Sequence, residues 1–506
     1  MLPEAGPAVS GSPRLSRPRI IGCARGRRVS RQDGHPPGAQ HGFTRAQHPE
    51  SSRSMSETLQ PEPSHPLART FKGPGAHVFL KDDRQAWTVT RLLGLAGDIA
   101  AALPPGASRV AVRARSAPFV VATLAALWAR RGHALMLDPA IGEEAAGLGH
   151  LEPGTPTVAP AWEEPVPGEI AIAESERGVL DPLLPAEGDI ILAFLTSGST
   201  GEPKIVVKRD FQFRRQFEIE PAWLGLPGPI RTVSLVPSHH ILGFIYGFYL
   251  PAGTGGAVTF LPGSPPHTWI DAIRNEQPSL VVGVPLHFRL IAQALNEPLP
   301  KALYLSSGGL LPASVSDAFQ ERAGWPIVQV YGSTEAAGIA TRTGSGPFTP
   351  MPGVSWKTRA DDGRLLIRSP WQDSPSAWHR QDDVVEPAGE GFLLLGRADS
   401  VVKVGGRRFS LAETVQAALS SPSIDQAHAV LYDRYSEKAV ALFVVARKPL
   451  ALTAAEVWVF LAARLAPFKV PRTIRVLDEL PSRGIGKVDE TALRRMAASD
   501  PNGSPS

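Results

Sequence analysis

The chain reads as an α/β protein: a large layered N-terminal domain with mixed, largely parallel sheets, followed by a small C-terminal α+β domain. Three observations predict this. From about residue 75, segments with helical spacing of apolar residues alternate with short β-branched runs, the pattern of βα units whose strands are buried. The last hundred residues change character, with two helix-start signatures set around two apolar strands. The 506 residues, 43% hydrophobic and 20% charged, suffice for two or three domains with cores of their own.

Taken in order, residues 1–54 hold seven Gly and seven Pro without apolar periodicity. They predict a disordered extension, drawn to residue 70, with Met55 as the expected start of the working chain. An Arg-rich targeting peptide, or an arm for nucleic acid or membrane, is the alternative. The segment carries nine arginines and three acids, while the remainder holds 43 basic and 45 acidic residues. The basic excess is thus confined to the tail, and the body has no nucleic-acid footprint. The one cysteine, Cys23, also lies there, which excludes an internal disulfide framework and a cysteine metal cluster. The longest apolar run, Ile241 to Leu250, is about half the ~18 residues a membrane span needs.

A helix is expected over Trp87 to Ala102, a strand over Val110 to Val112, a helix over Pro118 to Arg130 and a strand over Ala134 to Leu137. Further strands are expected at Ile190–Leu195, Ile205–Val207, Thr232–Val236, Leu280–Val284, Ala302–Leu305 and Ile327–Val330. In the last unit, Ser410-Leu411-Ala412-Glu413 and Thr453-Ala454-Ala455-Glu456 have capping-box spacing, the second opening a helix that ends near Pro467. Strands are expected at Ala427–Leu431 and Ala439–Val445, with a domain boundary near Arg397–Ser400. The organisation is therefore 71–396 for the core, 397–495 for the small domain and 496–506 for a flexible tail.

The most informative segment joins two strands: Leu195-Thr196-Ser197-Gly198-Ser199-Thr200-Gly201-Glu202-Pro203-Lys204. Gly198 and Gly201 let the backbone fold tightly and present bare N–H groups, Thr196, Ser197, Ser199 and Thr200 add hydroxyl donors, and Lys204 adds a cation. Together they suit a polyphosphate. A polar hairpin turn is the plainer reading. The segment is not a Walker loop, because the lysine is followed by Ile205 and both flanks are strands.

With this string the chain resembles the adenylate-forming superfamily: acyl- and aryl-CoA synthetases, peptide-synthetase adenylation domains and luciferases. The resemblance covers roughly residues 75–495 and continues in order. Val330-Tyr331-Gly332-Ser333-Thr334-Glu335, Gly396-Arg397-Ala398-Asp399 through Lys403, Ala466-Pro467-Phe468-Lys469-Val470-Pro471 and Leu480-Pro481 through Gly486-Lys487 each match a family motif. It implies a cytoplasmic ligase that uses ATP and Mg2+, and a C-terminal domain that moves as a lid.

By that resemblance Glu335 holds Mg2+, Thr334 bonds the α-phosphate, and Lys487 bridges the attacking carboxylate and that phosphate. A helix first-turn acid and a solvated surface lysine are the plainer readings of Glu335 and Lys487. Asp383, with Arg397, is matched to the ribose, although this chain has Gln381-Asp382-Asp383 where the family shows Thr-Gly-Asp. Adenine is expected near Ser307-Gly308-Gly309, with Tyr331 stacking on it. Asp399 is the hinge. Gly405 and Gly406 admit a pantetheine arm, or form only a tight turn, and Glu413 is taken as a capping residue.

His240 matches the family's gate to the acyl pocket, with a buried structural histidine as the alternative. Phe244, Val284, Leu310 and Ile339 are expected to line that pocket with apolar surface. The family's ammonium-binding aspartate has no equivalent, which points to an aryl or fatty acid over an amino acid. The thiol acceptor comes from outside the chain: CoA, or the phosphopantetheine of an acyl or aryl carrier protein. An amino-acid adenylation enzyme and a non-catalytic nucleotide-binding protein are the competing functions.

Overall fold

The twelve residues Ala117–Trp128 carry no charge and one hydroxyl, so their helix has no face to offer water, and all twelve are buried. Ser116 caps it by accepting from the Phe119 N–H, and Thr123 satisfies its own hydroxyl on the Phe119 carbonyl. Trp128 bonds the Ile191 carbonyl and packs its ring on Phe71 and Phe248. The helix thus sits in the apolar layer shared by two sheets, and Trp128→Ala costs about 3–5 kcal/mol there.

The protein is seen in a computed structural model that describes residues 65–499, except 138, 140–153, 164–167, 176–177, 182, 198–202, 310, 345, 399–400, 405–406, 435–436, 448–449 and 484–486. One sheet runs Ile170–Ile172, Thr157–Pro160, Arg109–Arg113, His133–Leu137, Ile190–Ser197 and Pro203–Arg209. It is parallel except for its last pair, an antiparallel hairpin. A second sheet has a parallel centre of Ile327–Ser333, Leu303–Ser306, Leu280–Gly283, Arg231–Ser234, Ala257–Phe260 and Val78–Lys81. Antiparallel strands close both of its edges. Parallel strands buried on both faces explain the continuous apolar runs.

Each strand expected between Val110 and Val330 is present, its ends moved by at most three residues. The first helix starts at Val89, two residues later than expected, because the Thr88 side chain accepts from the Arg91 N–H and ends the preceding strand. A four-stranded antiparallel sheet, Ser355–Thr358, Arg364–Arg368, His379–Ala388 and Gly391–Arg397, was not foreseen. Its short strands mix charged and apolar residues without a clean period.

The extension drawn to residue 70 ends sooner. Leu67 is fully buried, and the Thr70 hydroxyl donates to the Ala252 carbonyl, so the packed core already includes Leu67 and Thr70. The expected tail before residue 65 lies outside the described residues.

The C-terminal unit has its own core around Ile424–Arg434, Glu437–Ala446 and Thr473–Leu477. Thr453 and Glu456 form a complete capping box, and their helix ends at Ala462 with a 3-10 turn at Pro467–Lys469 following. Ser410 caps its helix through the Ala412 N–H, but Glu413 does not reach back. It accepts from Lys469 at 2.6 Å, because the Pro467–Lys469 turn brings a cation to it.

Candidate active site

The strands Ile190–Ser197 and Pro203–Arg209 pair with Thr196 opposite Lys204 and Ser197 opposite Pro203. Their backbones therefore bring the two ends of the hydroxyl-rich segment together. Gly198, Ser199, Thr200, Gly201 and Glu202 lie outside the described residues. Lys204 is exposed. On the outgoing strand the usual alternation is inverted: Ile205 and Val207 face solvent, while Val206 and Lys208 are buried. Lys208 Nζ donates to the Glu335 carbonyl at 2.6 Å. Burial pushes its pKa down to about 8, against the pull of Asp373 and Glu335.

The second motif forms the hairpin between Ile327–Ser333 and Ala337–Thr343. Gly332 faces the Ala337 carbonyl so closely that a Cβ there would lie 2.2 Å from its oxygen, and Ala337 takes a left-handed φ of 57°. Four contacts hold the turn. Ser333 Oγ accepts from the Ala336 N–H and donates to Gln381 Oε1, Trp371 Nε1 donates to the Ala336 carbonyl, and Lys208 holds Glu335. The Glu335 carboxylate stands exposed at its tip, and Thr334 is half-buried beside it.

Tyr331 donates its hydroxyl to Asp383 Oδ2 at 2.8 Å, joining two motifs 52 residues apart. Burial, then Asp383, holds the phenol well above its ordinary pKa. Its ring packs against Phe348 and Phe392, each centred 5.7 Å away, so the expected stacking platform is largely committed to the core. Asp383 lies opposite Arg397 in the sheet. The neighbouring Asp382 pairs with Arg364 at 3.2 Å and Arg397 at 3.5 Å. The departure from the family pattern thus has local roles: Gln381 braces the Ser333 turn and Asp382 makes ion pairs.

In the acyl segment the exposed histidine is His240, and His239 is the buried one. Their rings are 4.5 Å apart. Gly243 is required, since a Cβ would lie 2.0 Å from the Pro237 carbonyl oxygen. Phe244 and Ile339 do not line open space. Phe244 is enclosed by Phe194, Phe213, Phe248 and Tyr249, and Ile339 sits with Tyr331, Phe348 and Phe392, because both project into the layer between elements. Val284 does border the glycine turn: a Cβ on Gly308 would lie 3.4 Å from Val284 Cγ1, while Gly308 and Gly309 are exposed. Leu310, Asp399, Gly405 and Gly406 lie outside the described residues. The Lys487 backbone pairs with Arg483 in a short hairpin.

One buried cluster was missed. Helix Asp210–Trp223 turns Gln212, Gln216 and Glu220 inward at i, i+4, i+8 spacing, a polar stripe that the sequence displays. Gln216 Nε2 donates to Glu220 Oε1 at 2.5 Å and Tyr246 Oη donates to the same oxygen at 2.9 Å. Glu220 Oε2 and Gln216 Oε1 have no hydrogen-bond partner. Burial raises the Glu220 pKa to about 7, the two donors pulling it back. Tyr246 lies on a single π-helical turn, Ile245–Tyr249, a distortion common at functional sites.

A family model described as AMP-binding enzyme matches residues 151–369, and one described as AMP-binding enzyme C-terminal domain matches 415–487. A probable 2-succinylbenzoate–CoA ligase of Mycobacterium tuberculosis is 30% identical over 376 residues, covering 66% of this chain and 92% of the relative. An indoleacetate–CoA ligase of Aromatoleum aromaticum is 27% identical over 63% of this chain and 69% of its own. Among solved structures, an O-succinylbenzoate coenzyme A synthetase of Bacillus subtilis in complex with AMP superposes with a TM-score of 0.72 at 18% identity, covering 85% of this chain and 97% of that one.

Proposed function

This chain belongs to the AMP-binding enzyme family, the adenylate-forming superfamily of acyl- and aryl-CoA synthetase type, and on that premise we propose that it activates a hydrophobic aryl or fatty acid with ATP and passes the acyl group to a thiol. In the first step the carboxylate attacks the α-phosphate, forming the acyl-adenylate and releasing pyrophosphate. In the second the thiol sulfur attacks the acyl carbon, forming a thioester and releasing AMP. CoA is the acceptor favoured here, in keeping with the names of the relatives, with a carrier-protein phosphopantetheine as the variant.

The supporting observation is the bond between Tyr331 and Asp383 at 2.8 Å beside a turn braced on four sides. It sets a carboxylate for the ribose next to the hairpin that presents Thr334 to the α-phosphate. A fixed donor and a fixed acid need no reorganisation when charge moves in the displacement. Arg397 assists Asp383, and Thr196 to Gly201 with Lys204 wrap the β- and γ-phosphates. Gly308 and Gly309 border adenine, and His240 and Val284 lie toward the acid.

A single exposed carboxylate at Glu335 suits Mg2+, which takes one or two protein carboxylates and completes its shell with substrate phosphates. Bound there, the ion neutralises phosphate charge. Lys487 brings a second, movable cation to the attacking carboxylate, after which the domain turns about Asp399 and Gly405-Gly406 face the thiol arm.

The test is pyrophosphate release over benzoic, cinnamic and fatty acids, followed by CoA against holo-carrier protein as acceptor. Release with at least one of these acids, and AMP-coupled thioester formation, is expected. Turnover with amino acids alone, or with none of the acids, refutes the proposal.

A further inference from the structure

We propose that the helix Ala454–Ala462 of the C-terminal unit is a docking surface for a second copy of this chain, the two helices packing antiparallel about a two-fold axis. The inference stands apart from the acid-activating reading and uses residues outside the candidate active site.

The helix reads Ala-Ala-Glu-Val-Trp-Val-Phe-Leu-Ala, with Glu456 its one charged residue. A helix that is apolar all round belongs inside a protein, yet only Val457 and Leu461 of this one are buried. Trp458 is 43% exposed and Val459 63%, and Leu450, three residues before the Thr453 cap, is 50% exposed. Ala462 and Ala463 continue the exposed face. Single apolar residues at a surface are ordinary, but large ones side by side on one helix, with alanine around them, mark a contact that the chain by itself leaves open.

Charge and size say what covers it. Backbone bonds from Ala463 to Val459 and from Leu465 to Leu461 carry the helical turn past Ala462. Glu456 and Arg464 therefore stand on one flank, near opposite ends of the helix, because eight residues bring the chain round to nearly the same side. Glu456 accepts from the Thr453 N–H and hydroxyl, and Arg464 lies 3.7 Å over the Phe460 ring while donating to the Phe460 carbonyl. Among the described residues neither meets an opposite charge. An identical helix laid antiparallel supplies both partners at once: Arg464 of the second copy comes beside Glu456, and the reverse. A parallel helix would bring like charges together. On the other flank Ala455 and Ala462 lie three and four residues from Trp458, so the same arrangement sets each indole against an alanine of the other copy, large side chain into small. Such a contact uses one patch twice and closes at two copies. Nine residues at 1.5 Å each make it about 14 Å long, too short to bury the about 800 Å² per partner of a standard interface. The pair is therefore expected to be weak and to form as concentration rises.

The experiment is sedimentation equilibrium of the full chain over about a hundredfold range of concentration. The wild type is expected to pass from monomer to dimer across it. Val459→Glu, which brings two carboxylates near the two-fold axis, and Arg464→Glu, which sets Glu456 against a like charge, are each expected to raise the dissociation constant by at least about tenfold. Both positions are exposed, so the fold is expected to survive, and thermal melts check it. Glu456→Gln, which a capping box accepts, removes only the charge and is expected to weaken the pair should either of those variants not fold. A chain that is monomeric at every concentration, or a dimer that the variants leave unchanged, overturns the inference. So does a monomer that binds phosphatidylglycerol vesicles or an acidic carrier protein and loses that binding in Val459→Glu, because the face then serves another partner. None of these outcomes depends on whether an acid is turned over, so this inference and the activation reading fail separately.

Discussion

Lys208 offers the sharpest separation of stability from catalysis. It is 2% exposed, and its ammonium spends itself on one backbone carbonyl, that of Glu335, at 2.6 Å. Lowering its pKa from 10.5 to about 8 corresponds to a penalty of about 3 kcal/mol at 1.36 per unit, the cost of burial less the pull of Asp373 and Glu335. The charged hydrogen bond returns about 1.5–3 kcal/mol. Lys208→Met should therefore change global stability by less than about 2 kcal/mol, because penalty and bond leave together. The Thr334-Glu335 turn, however, loses an anchor, and misplacement of about 1 Å costs up to ~100-fold in rate. We expect kcat/KM for adenylate formation, read by pyrophosphate release, to drop by at least about tenfold.

The pH dependence is a second arm. Lys208 is neutral in the folded protein and charged in the unfolded one between pH 8 and 10.5, so the unfolded state binds more protons there. Its contribution is fully present above 10.5 and is lost as pH falls through 8. Denaturant melts should show the wild type gaining on Lys208→Met by about 1.36 kcal/mol per pH unit across that window. Full adenylation activity in the variant, or a stability difference flat from pH 8 to 10.5, refutes the reasoning.

Lys487→Ala should nearly abolish adenylate formation while ATP still binds, and retained exchange of pyrophosphate into ATP would contradict its role. Asp383→Asn should raise the KM for ATP by about tenfold through weakened charged hydrogen bonds. Asp382→Asn, whose ion pairs are partly solvated, should change it by less than about threefold, and the reverse order in steady-state kinetics would reassign the ribose carboxylate. Glu220, raised from 4.5 to about 7, holds its proton in the folded state, so its contribution is complete below pH 4.5 and is lost as pH rises through 7. In melts over pH 4.5–7, Glu220→Gln should gain on the wild type by about 3 kcal/mol in total, and parallel curves would contradict the buried acid.

The motifs of the candidate site were legible because each is local in the chain. The glycine–hydroxyl segment, the Tyr331 to Glu335 turn and the Lys487 loop are each short strings that stand out in the sequence by residue type and spacing. Their order in the chain was enough to match a family. The strands were legible for a related reason: burial on both faces of a parallel sheet forces a continuous apolar run, which needs no knowledge of the partner.

Other features depend on neighbours far along the chain. Lys208 occupies the inward phase of a strand whose apolar residues face out, and only the sheet and the Glu335 turn, 127 residues away, make that phase inward. Phe244 was read as pocket lining because it is apolar and follows His240, yet four aromatic rings from other turns and strands enclose it. Periodicity says that a residue is buried but not whether it meets protein or ligand. Glu220 is the same lesson in a polar residue: its i, i+4 stripe was in the sequence, but Tyr246 and Gly338 complete the cluster only after the π-helical turn and the hairpin have formed. The sequence alone thus determined the α/β layers, the motif set and the family, since these follow from local pattern and residue chemistry. The tertiary structure decided which acid meets Tyr331, which lysine braces the turn and which carboxylate was buried against Gln216 and Tyr246, because burial and hydrogen-bond satisfaction arise from contacts between distant segments.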